Sequence, residues 1–223
     1  MTPPEALRPA AEALFGARLR MAVAYAELLV TDGVTRGLLG PNEPSRIWDR
    51  HLLNCVAVSE LIPPDARVVD VGSGAGLPGI VLAVARPDVS VILVEPLARR
   101  TAFLSEVVTT LGLDRATVVR ARAEECVPGG GPPPFGYGDV VTARAVAPLD
   151  RLTAWCLPLA VEGGRVLALK GESAEDEVAA HRAAIGRLGG GTPVVTRCGV
   201  GVIDPPTTVV QVTRVRTHRR RSM

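Results

Sequence analysis

The stretch ARVVDVGSGAGLPGI, residues 66–80, decides the fold of this chain. It begins as a short apolar strand ending near Asp70, and glycine then occupies every second position of a turn, at Gly72, Gly74 and Gly76. Glycine reaches positive φ without a steric penalty, and the helix that follows offers free N–H groups to a ligand. This strand–turn–helix predicts a ligand site at the carboxyl edge of a parallel sheet.

The pattern after residue 66 alternates short β-branched segments with helical ones, as in SVILVE at 90–95 and ARRTAFLSEVVTTL at 98–111. Strands that are apolar almost throughout indicate a parallel sheet covered on both faces. The last two strand-like segments, at 192–200 and 207–215, have no helix between them. We therefore predict an α/β, Rossmann-like fold whose mostly parallel sheet ends in an antiparallel hairpin.

The first part of the chain has helical spacing over 5–30 and again over about 45–61, before Pro63 and Pro64. We expect one domain over 1–223, with 1–64 as an N-terminal helical extension. A proline- and glycine-rich stretch at 128–138 is typical of a surface loop.

Composition excludes several classes of protein. Apolar residues make up 47% of the 223 residues and charged residues 22%, which excludes a wholly disordered chain. Only seven residues are aromatic, too few for an RNA-binding sheet that stacks several bases. The basic tail at 214–223 holds five arginines and no acid, whereas the rest of the chain holds 20 basic and 23 acidic residues. Any nucleic-acid contact is therefore local, and the tail fits an RNA-binding arm and a solvated terminus equally well.

The four cysteines are scattered and have no paired spacing, which argues against a zinc site or a disulfide framework. No metal is expected, and free thiols fit a reducing cytoplasm. The N-terminus has no leader pattern, and no apolar run approaches the roughly 20 residues that span a bilayer. We expect a cytoplasmic protein without a membrane partner.

Two classes of cofactor fit the glycine turn. Glu95 ends the second strand, 19 residues after Gly76, where a carboxylate can accept hydrogen bonds from ribose hydroxyls. The spacing Gly74-x-Gly76-x-x-Gly79 formally matches a dinucleotide fingerprint, so an NAD-dependent oxidoreductase is one reading. Asp70 favours the other reading, a methyl donor, because it would repel a pyrophosphate and attract an amino-acid ammonium. The terminal hairpin also differs from the second βαβ half of a dinucleotide fold.

Several motifs, in this order, resemble the bacterial glucose-inhibited division protein B family, over residues 45–178. They are RHLLNC, DVGSGAGLPGI, LVEPLARRTAFLSEV, RAEE, TARAVAPLDRLTAWC and LALKG. The resemblance implies a class I S-adenosylmethionine-dependent methyltransferase fold. It also implies methylation of a guanine N7 in 16S rRNA, with 16S rRNA or the small ribosomal subunit as partner and S-adenosylhomocysteine as product. A methyltransferase acting on another RNA or a small molecule, and a catalytically silent donor-binding module, are the alternatives.

The resemblance also implies which residues bind the donor. Ala123 and Glu124 match the pair that meets the adenine, and Arg144 matches an arginine after the fourth strand. With the turn and the ribose carboxylate, the expected donor-binding residues are Asp70, Gly72, Gly74, Gly76, Leu77, Glu95, Ala123, Glu124 and Arg144.

Guanine N7 carries an exposed lone pair, so methyl transfer to it requires positioning and electrostatics rather than a general base. Arg144 and Lys170 are the candidate catalytic residues. Lys170 is the single lysine against 24 arginines and ends the strand RVLALK. Arg pairs with phosphate or with guanine O6, whereas Lys provides a compact point charge. Cys156 lies on an apolar helical stretch and reads as a core thiol rather than the nucleophile of a pyrimidine-C5 enzyme.

Candidate substrate contacts lie on the second predicted helix, at Arg46, His51 and Asn54. His51 falls on an apolar helical stripe, where a hydrogen-bonded core histidine is the alternative to a functional one. The two polar neighbours fit an RNA contact and a solvated face alike. Nothing in the sequence sets the oligomeric state, and a monomer is our expectation.

Overall fold

The computed structural model describes residues 1–40, 42–127, 133–145 and 147–215. Two predicted features lie partly outside these residues: the basic tail, at 216–223, and the surface loop, at 128–132. No helix within the described ranges combines the length and the apolar character that crossing a membrane requires.

A single seven-stranded sheet forms the centre of the molecule. Its strands are β1 Arg67–Val71, β2 Ser90–Val94, β3 Ala116–Val119, β4 Gly138–Arg144, β5 Ala160–Lys170, β6 Val194–Cys198 and β7 Thr207–Thr213. Their order is β3-β2-β1-β4-β5-β7-β6, and β1 to β5 run parallel. The predicted parallel sheet is thus confirmed, and the ends of β1, β2 and β4 meet at one edge.

The terminal hairpin is also confirmed, because β7 pairs antiparallel with both β5 and β6. A dinucleotide-binding sheet has six parallel strands in the order 3-2-1-4-5-6. Here β7 lies antiparallel between β5 and β6, so the continuous parallel order of a dinucleotide-binding sheet is interrupted.

Helices cover both faces of the sheet, and their side chains form two apolar cores. The helices are α1 Arg8–Phe15, α2 Leu19–Leu28, α3 Leu53–Ala57, α4 Gly79–Ala85, α5 Ala98–Leu111, α6 Leu149–Cys156 and α7 Ala174–Arg187. Alternate residues of β1 belong to different cores. Val68 belongs to the first core, which includes residues of α1 to α5, and Val69 belongs to the second core, which includes residues of α6 and α7. This alternation follows from the two-residue period of a strand.

The first 62 residues contribute to the first core rather than standing apart from it. Phe15 of α1 meets Trp48 edge to face, with 6.2 Å between ring centroids. Tyr25 of α2 is buried, and its hydroxyl donates a 2.7 Å hydrogen bond to the carbonyl of Ala75 in the glycine turn. The N-terminal helices therefore touch the predicted ligand site directly.

The predicted helix at 45–61 is confirmed as helical, but it is not regular. It begins as a 3-10 turn, widens to a π-helical segment at Ile47–Leu52, becomes α3, and ends as another 3-10 turn. A π-helical segment rotates the residues that follow it relative to an α-helix and is frequent at functional sites. The residues of the predicted apolar stripe are nevertheless all buried, namely Ile47, Trp48, His51, Cys55, Val58 and Ile62.

Candidate functional site

The glycine turn after β1 adopts the conformation that its sequence predicts. Gly72, Gly74 and Gly76 have φ values of +67°, +59° and +102°. Gly72 donates to the carbonyl of Val94 at 2.9 Å, and this bond ties the turn to the end of β2. A Cβ built on Gly74 would meet only one atom within 4 Å, so that side of the turn is open.

Asp70 stabilises this turn from the side that faces the core. Its carboxylate is fully buried and accepts hydrogen bonds from the N–H of Gly79 at 3.1 Å and from the hydroxyl of Thr142 at 2.9 Å. Burial raises the pKa of Asp70 to about 6. The structure does not bring this side chain to the cavity wall, which differs from the direct contact with an ammonium that the sequence led us to expect.

Glu95 is placed directly after β2 and is 1% exposed. One carboxylate oxygen accepts the N–H of Gly74 and the other accepts the N–H of Leu97, both at 3.0 Å. Arg100 lies 3.7 Å away. The two backbone bonds fix the carboxylate against the glycine turn.

A cavity of about 560 Å³ opens at the carboxyl edge of the sheet. Of the predicted donor-binding residues, seven line it: Gly72, Gly74, Leu77, Glu95, Ala123, Glu124 and Arg144. Gly76 does not, because it faces Tyr25 and Ile80 on the core side of the turn. Most of the predicted donor-binding residues, which come from four separate segments of sequence, therefore lie together at the carboxyl ends of the strands.

Sequence reasoning missed several residues of this wall, among them two on α6. Arg151 and Trp155 of α6 line the cavity, and the guanidinium carbon lies 5.0 Å from the centre of the indole ring. A cation over an aromatic face is a stabilising contact. Their spacing of four residues on a predicted helix was the available signal, since such pairs share a helix face.

A second cavity of about 450 Å³ adjoins the first. Arg144 and Ala145 line both, so they form the boundary between the two. Ala145 has a φ of +56°, which is unusual for a residue with a Cβ and is the kind of strain found at functional sites. The predicted catalytic Lys170 lines only the second cavity.

Lys170 is held by two contacts. Its ammonium donates to Glu177 of α7 at 2.7 Å and to the carbonyl of Ala147 at 3.0 Å. The side chain is 10% exposed. An ammonium has three donors, and two of them have these partners among the described residues, so a third is available to a ligand in the second cavity.

The three predicted substrate residues have different positions. His51 and Asn54 line the second cavity, whereas Arg46 does not and pairs with Asp49 at 3.3 Å on the surface. The amide of Asn54 donates to the carbonyl of Asp49 at 2.7 Å. His51 is buried, but it contacts charged groups rather than lying in an apolar core: its ring nitrogens meet Glu43 and Arg144.

The described ranges contain no cluster of possible metal ligands. No three His, Cys, Asp or Glu side chains gather there as a metal ion would require. All four cysteines are free and buried, and burial raises the pKa of Cys55 to about 11 and of Cys198 to about 12. These thiols are protonated at neutral pH and are poor nucleophiles.

The raised pKa of Asp70 makes a prediction about stability. The folded protein binds a proton at Asp70 up to about pH 6, whereas the unfolded chain releases it near pH 3.8. Because the folded state binds more protons in this window, Asp70 makes stability fall as the pH rises through it, by about 3 kcal/mol in total. Denaturant titrations measure the free energy of unfolding of the wild type and of Asp70→Asn. We expect the wild-type value minus the Asp70→Asn value to fall by about 3 kcal/mol between pH 4 and pH 7. A difference that does not change with pH would contradict it.

Comparison with known proteins identifies relatives for most of the chain. The model of the GidB family, described as rRNA small subunit methyltransferase G, matches residues 18–200. Ribosomal RNA small subunit methyltransferase G of Salinispora tropica is 67% identical over 216 residues, covering 96% of this chain and 89% of the relative. The protein of the same name from Rhodococcus jostii is 54% identical, covering 95% and 92%.

Solved structures share the fold. Ribosomal protein L11 methylase from Lactobacillus delbrueckii subsp. bulgaricus superimposes with a TM-score of 0.53 at 15% identity, over 80% of this chain and 81% of that one. At this identity the likeness concerns the arrangement of strands and helices alone. It agrees with the predicted class I methyltransferase architecture.

Proposed function

This chain belongs to the family of rRNA small subunit methyltransferase G and is an rRNA methyltransferase, and we propose that it transfers a methyl group from S-adenosylmethionine to guanine N7 in 16S rRNA. The observation that carries the proposal is the meeting of two cavities at Arg144 and Ala145. One cavity has the glycine turn and Glu95 that a donor needs, and the other has cationic side chains suited to a nucleotide.

The residues of the first cavity fit S-adenosylmethionine. A carboxylate has about four acceptor sites, and the backbone N–H groups of Gly74 and Leu97 take two on Glu95. Two sites are left, which match the two hydroxyls of a ribose. The open side of the turn at Gly74 gives room for the donor's amino-acid part, and Ala123 and Glu124 provide the wall for its adenine. About 560 Å³ is a volume typical of cofactor sites.

The donor, when bound, supplies an electrophilic methyl group on its sulfonium. N7 of guanine takes it with a lone pair that carries no proton, so the protein has to orient the base rather than deprotonate it. Arg144 lines both cavities and can contact a ligand in either, and Lys170 lines the second, with one N–H that no described residue engages. We assign to both the role of holding guanine O6 or the adjacent phosphate, which leaves N7 free to react.

Lys170→Arg is predicted to lower the methylation rate by about tenfold. The longer planar guanidinium does not reproduce the compact ammonium that Glu177 and the Ala147 carbonyl hold, so the donated N–H moves. Single-turnover methylation of small ribosomal subunits measures the rate, and titration with S-adenosylhomocysteine checks that donor affinity is unchanged. Arg187→Lys, on the exposed end of α7, is the matched surface control. An unchanged rate in Lys170→Arg would remove this residue from the site.

The proposed reaction is tested by nucleoside mass spectrometry of 16S rRNA from cells with and without this gene. We expect one N7-methylguanosine to be lost without the gene and restored by the wild type. Gly72→Asp should not restore it, because an acidic side chain would then occupy the donor cavity at a residue with positive φ. An unchanged modification profile would reject guanine in 16S rRNA as the target and redirect the search to other RNAs.

A further inference from the structure

Three side chains form a hydrogen-bonded chain that leads to the boundary of the two cavities. Nε2 of His51 lies 2.5 Å from a carboxylate oxygen of Glu43, and Nδ1 of the same ring lies 2.8 Å from the guanidinium of Arg144. His51 is 6% exposed and belongs to the π-helical segment. Its ring therefore touches charged groups on both sides in a place sheltered from water.

The partners of His51 allow only one protonation state to satisfy every contact. An ionised carboxylate only accepts hydrogen bonds, and a guanidinium only donates them. Nε2 must therefore carry the proton, and Nδ1 must present a lone pair to Arg144, which is the neutral Nε2–H tautomer. Burial, and next the charge of Arg144, lower the pKa of His51, and the hydrogen bond from His51 lowers the pKa of Glu43.

Arg144 has one further hydrogen bond, which is long. Its guanidinium donates to the carbonyl of Arg50 at 3.4 Å, and the residue after it, Ala145, has a φ of +56°. A flexible arginine at the surface samples many rotamers, whereas a guanidinium with fixed acceptors is already in place when substrate arrives. The chain from Glu43 through His51 thus provides an orientation that Arg144 does not have by itself.

We propose that His51, kept as the Nε2–H tautomer by Glu43, is a positioning residue that orients Arg144 toward the target nucleotide. The inference rests on the proposed function, since it gives Arg144 a substrate to meet. It assigns His51 no proton transfer to substrate, because both ring nitrogens are already engaged. It also explains why a buried histidine occurs in a helix that otherwise packs with the first core.

The pH dependence of methylation separates this role from a merely structural one. An imidazolium has no lone pair on Nδ1 and would repel Arg144, so the rate should fall as the pH falls through the pKa of His51, below the ordinary 6.5. The other charged groups around the ring are Glu43, Arg50 and, across the second cavity, Lys170. Of these, Glu43 ionises at lower pH than an ordinary glutamate. Asp70, which interacts with Arg144 and has a pKa of about 6, titrates in the same range, so the pH profile of His51→Asn is what assigns the fall to His51.

Four variants test the inference on small ribosomal subunits. His51→Leu removes the acceptor and should lower kcat by about 10- to 100-fold while the affinity for S-adenosylhomocysteine stays within about twofold. His51→Asn keeps an oxygen near the position of Nδ1, so its rate should stay within about threefold of wild type and lose the fall at acid pH. Glu43→Gln should lie between them, since an amide can also donate to Nε2 and favour the wrong tautomer. Glu12→Gln, at an exposed position of α1, is the control for the loss of a carboxylate and should not change the rate.

A measurement without substrate keeps the two proposals distinct. The chain has three histidines, so the ¹⁵N resonances of His51 can be assigned by their loss in His51→Asn, and their shifts report the tautomer. We expect the neutral Nε2–H form at pH 7 in the wild type. An imidazolium or an Nδ1–H ring there would overturn the inference, as would a His51→Leu enzyme with the wild-type rate. A wild type that does not methylate 16S rRNA at all would instead overturn the proposed function and, with it, the role of Arg144.

Discussion

Gly76→Ala is expected to lower the free energy of unfolding by about 3 kcal/mol, which combines about 1–2 kcal/mol for a left-handed residue with a Cβ and about 1–3 kcal/mol for overpacking. The φ of Gly76 is +102°, and its added Cβ would lie 2.4 Å from Cγ1 of Ile80 and 2.7 Å from the hydroxyl of Tyr25. Neither neighbour can withdraw cheaply. Ile80 is fully buried, and the Tyr25 hydroxyl is held by the carbonyl of Ala75. Denaturant titration measures the loss.

Gly112→Ala is the matched control for this prediction. Gly112 follows α5 with a φ of +60°, and nothing lies within 4 Å of a Cβ built there. It therefore has the backbone penalty without the collision, and should cost only about 1–2 kcal/mol. Equal losses in the two variants would show that the packing of α2 against the turn contributes nothing.

The glycine turn illustrates what the sequence could predict. The turn, the strand before it and the helix after it are contiguous, so their local pattern specifies them. Glu95 is recognisable because the carboxyl end of a second parallel strand has to meet the first at the same edge. Ala123, Glu124 and Arg144 came from a family resemblance, and the sheet brings them to the same cavity for the same geometric reason.

The remaining site residues depend on contacts that no local pattern encodes. The burial of His51 agrees with its place on a helical stripe, but its partner Arg144 is 93 residues away, and no local spacing indicates that contact. Glu43 lies in an irregular stretch before the π-helical segment and has no periodic signal. Asp70 was predicted to face the ligand. The alternation of β1 points it instead to the core side of the turn, where the N–H of Gly79 holds it.

Glu95→Ala is expected to weaken the binding of S-adenosylhomocysteine by at least about 100-fold. The variant loses two hydrogen bonds from ribose hydroxyls to a charged group, each worth about 1.5–3 kcal/mol, and tenfold in affinity corresponds to about 1.4 kcal/mol. It also releases the N–H groups of Gly74 and Leu97, which loosens the turn. Calorimetric titration measures the affinity. Glu175→Ala, at an exposed ion pair with Arg197, is the control for loss of a surface carboxylate.

A ligand without the ribose hydroxyls distinguishes direct contact from loosening of the turn. The 2′,3′-dideoxy form of S-adenosylhomocysteine should bind the wild type about 100-fold more weakly than the natural product does, because the same two hydrogen bonds are missing. Glu95→Ala should bind both ligands almost equally, since neither has a carboxylate partner for its ribose. If the variant still preferred the natural product by the wild-type factor, Glu95 would act only through the backbone it holds. In that case the ribose contact would belong to another residue of the cavity wall, and the four-site count of acceptors on Glu95 would be wrong.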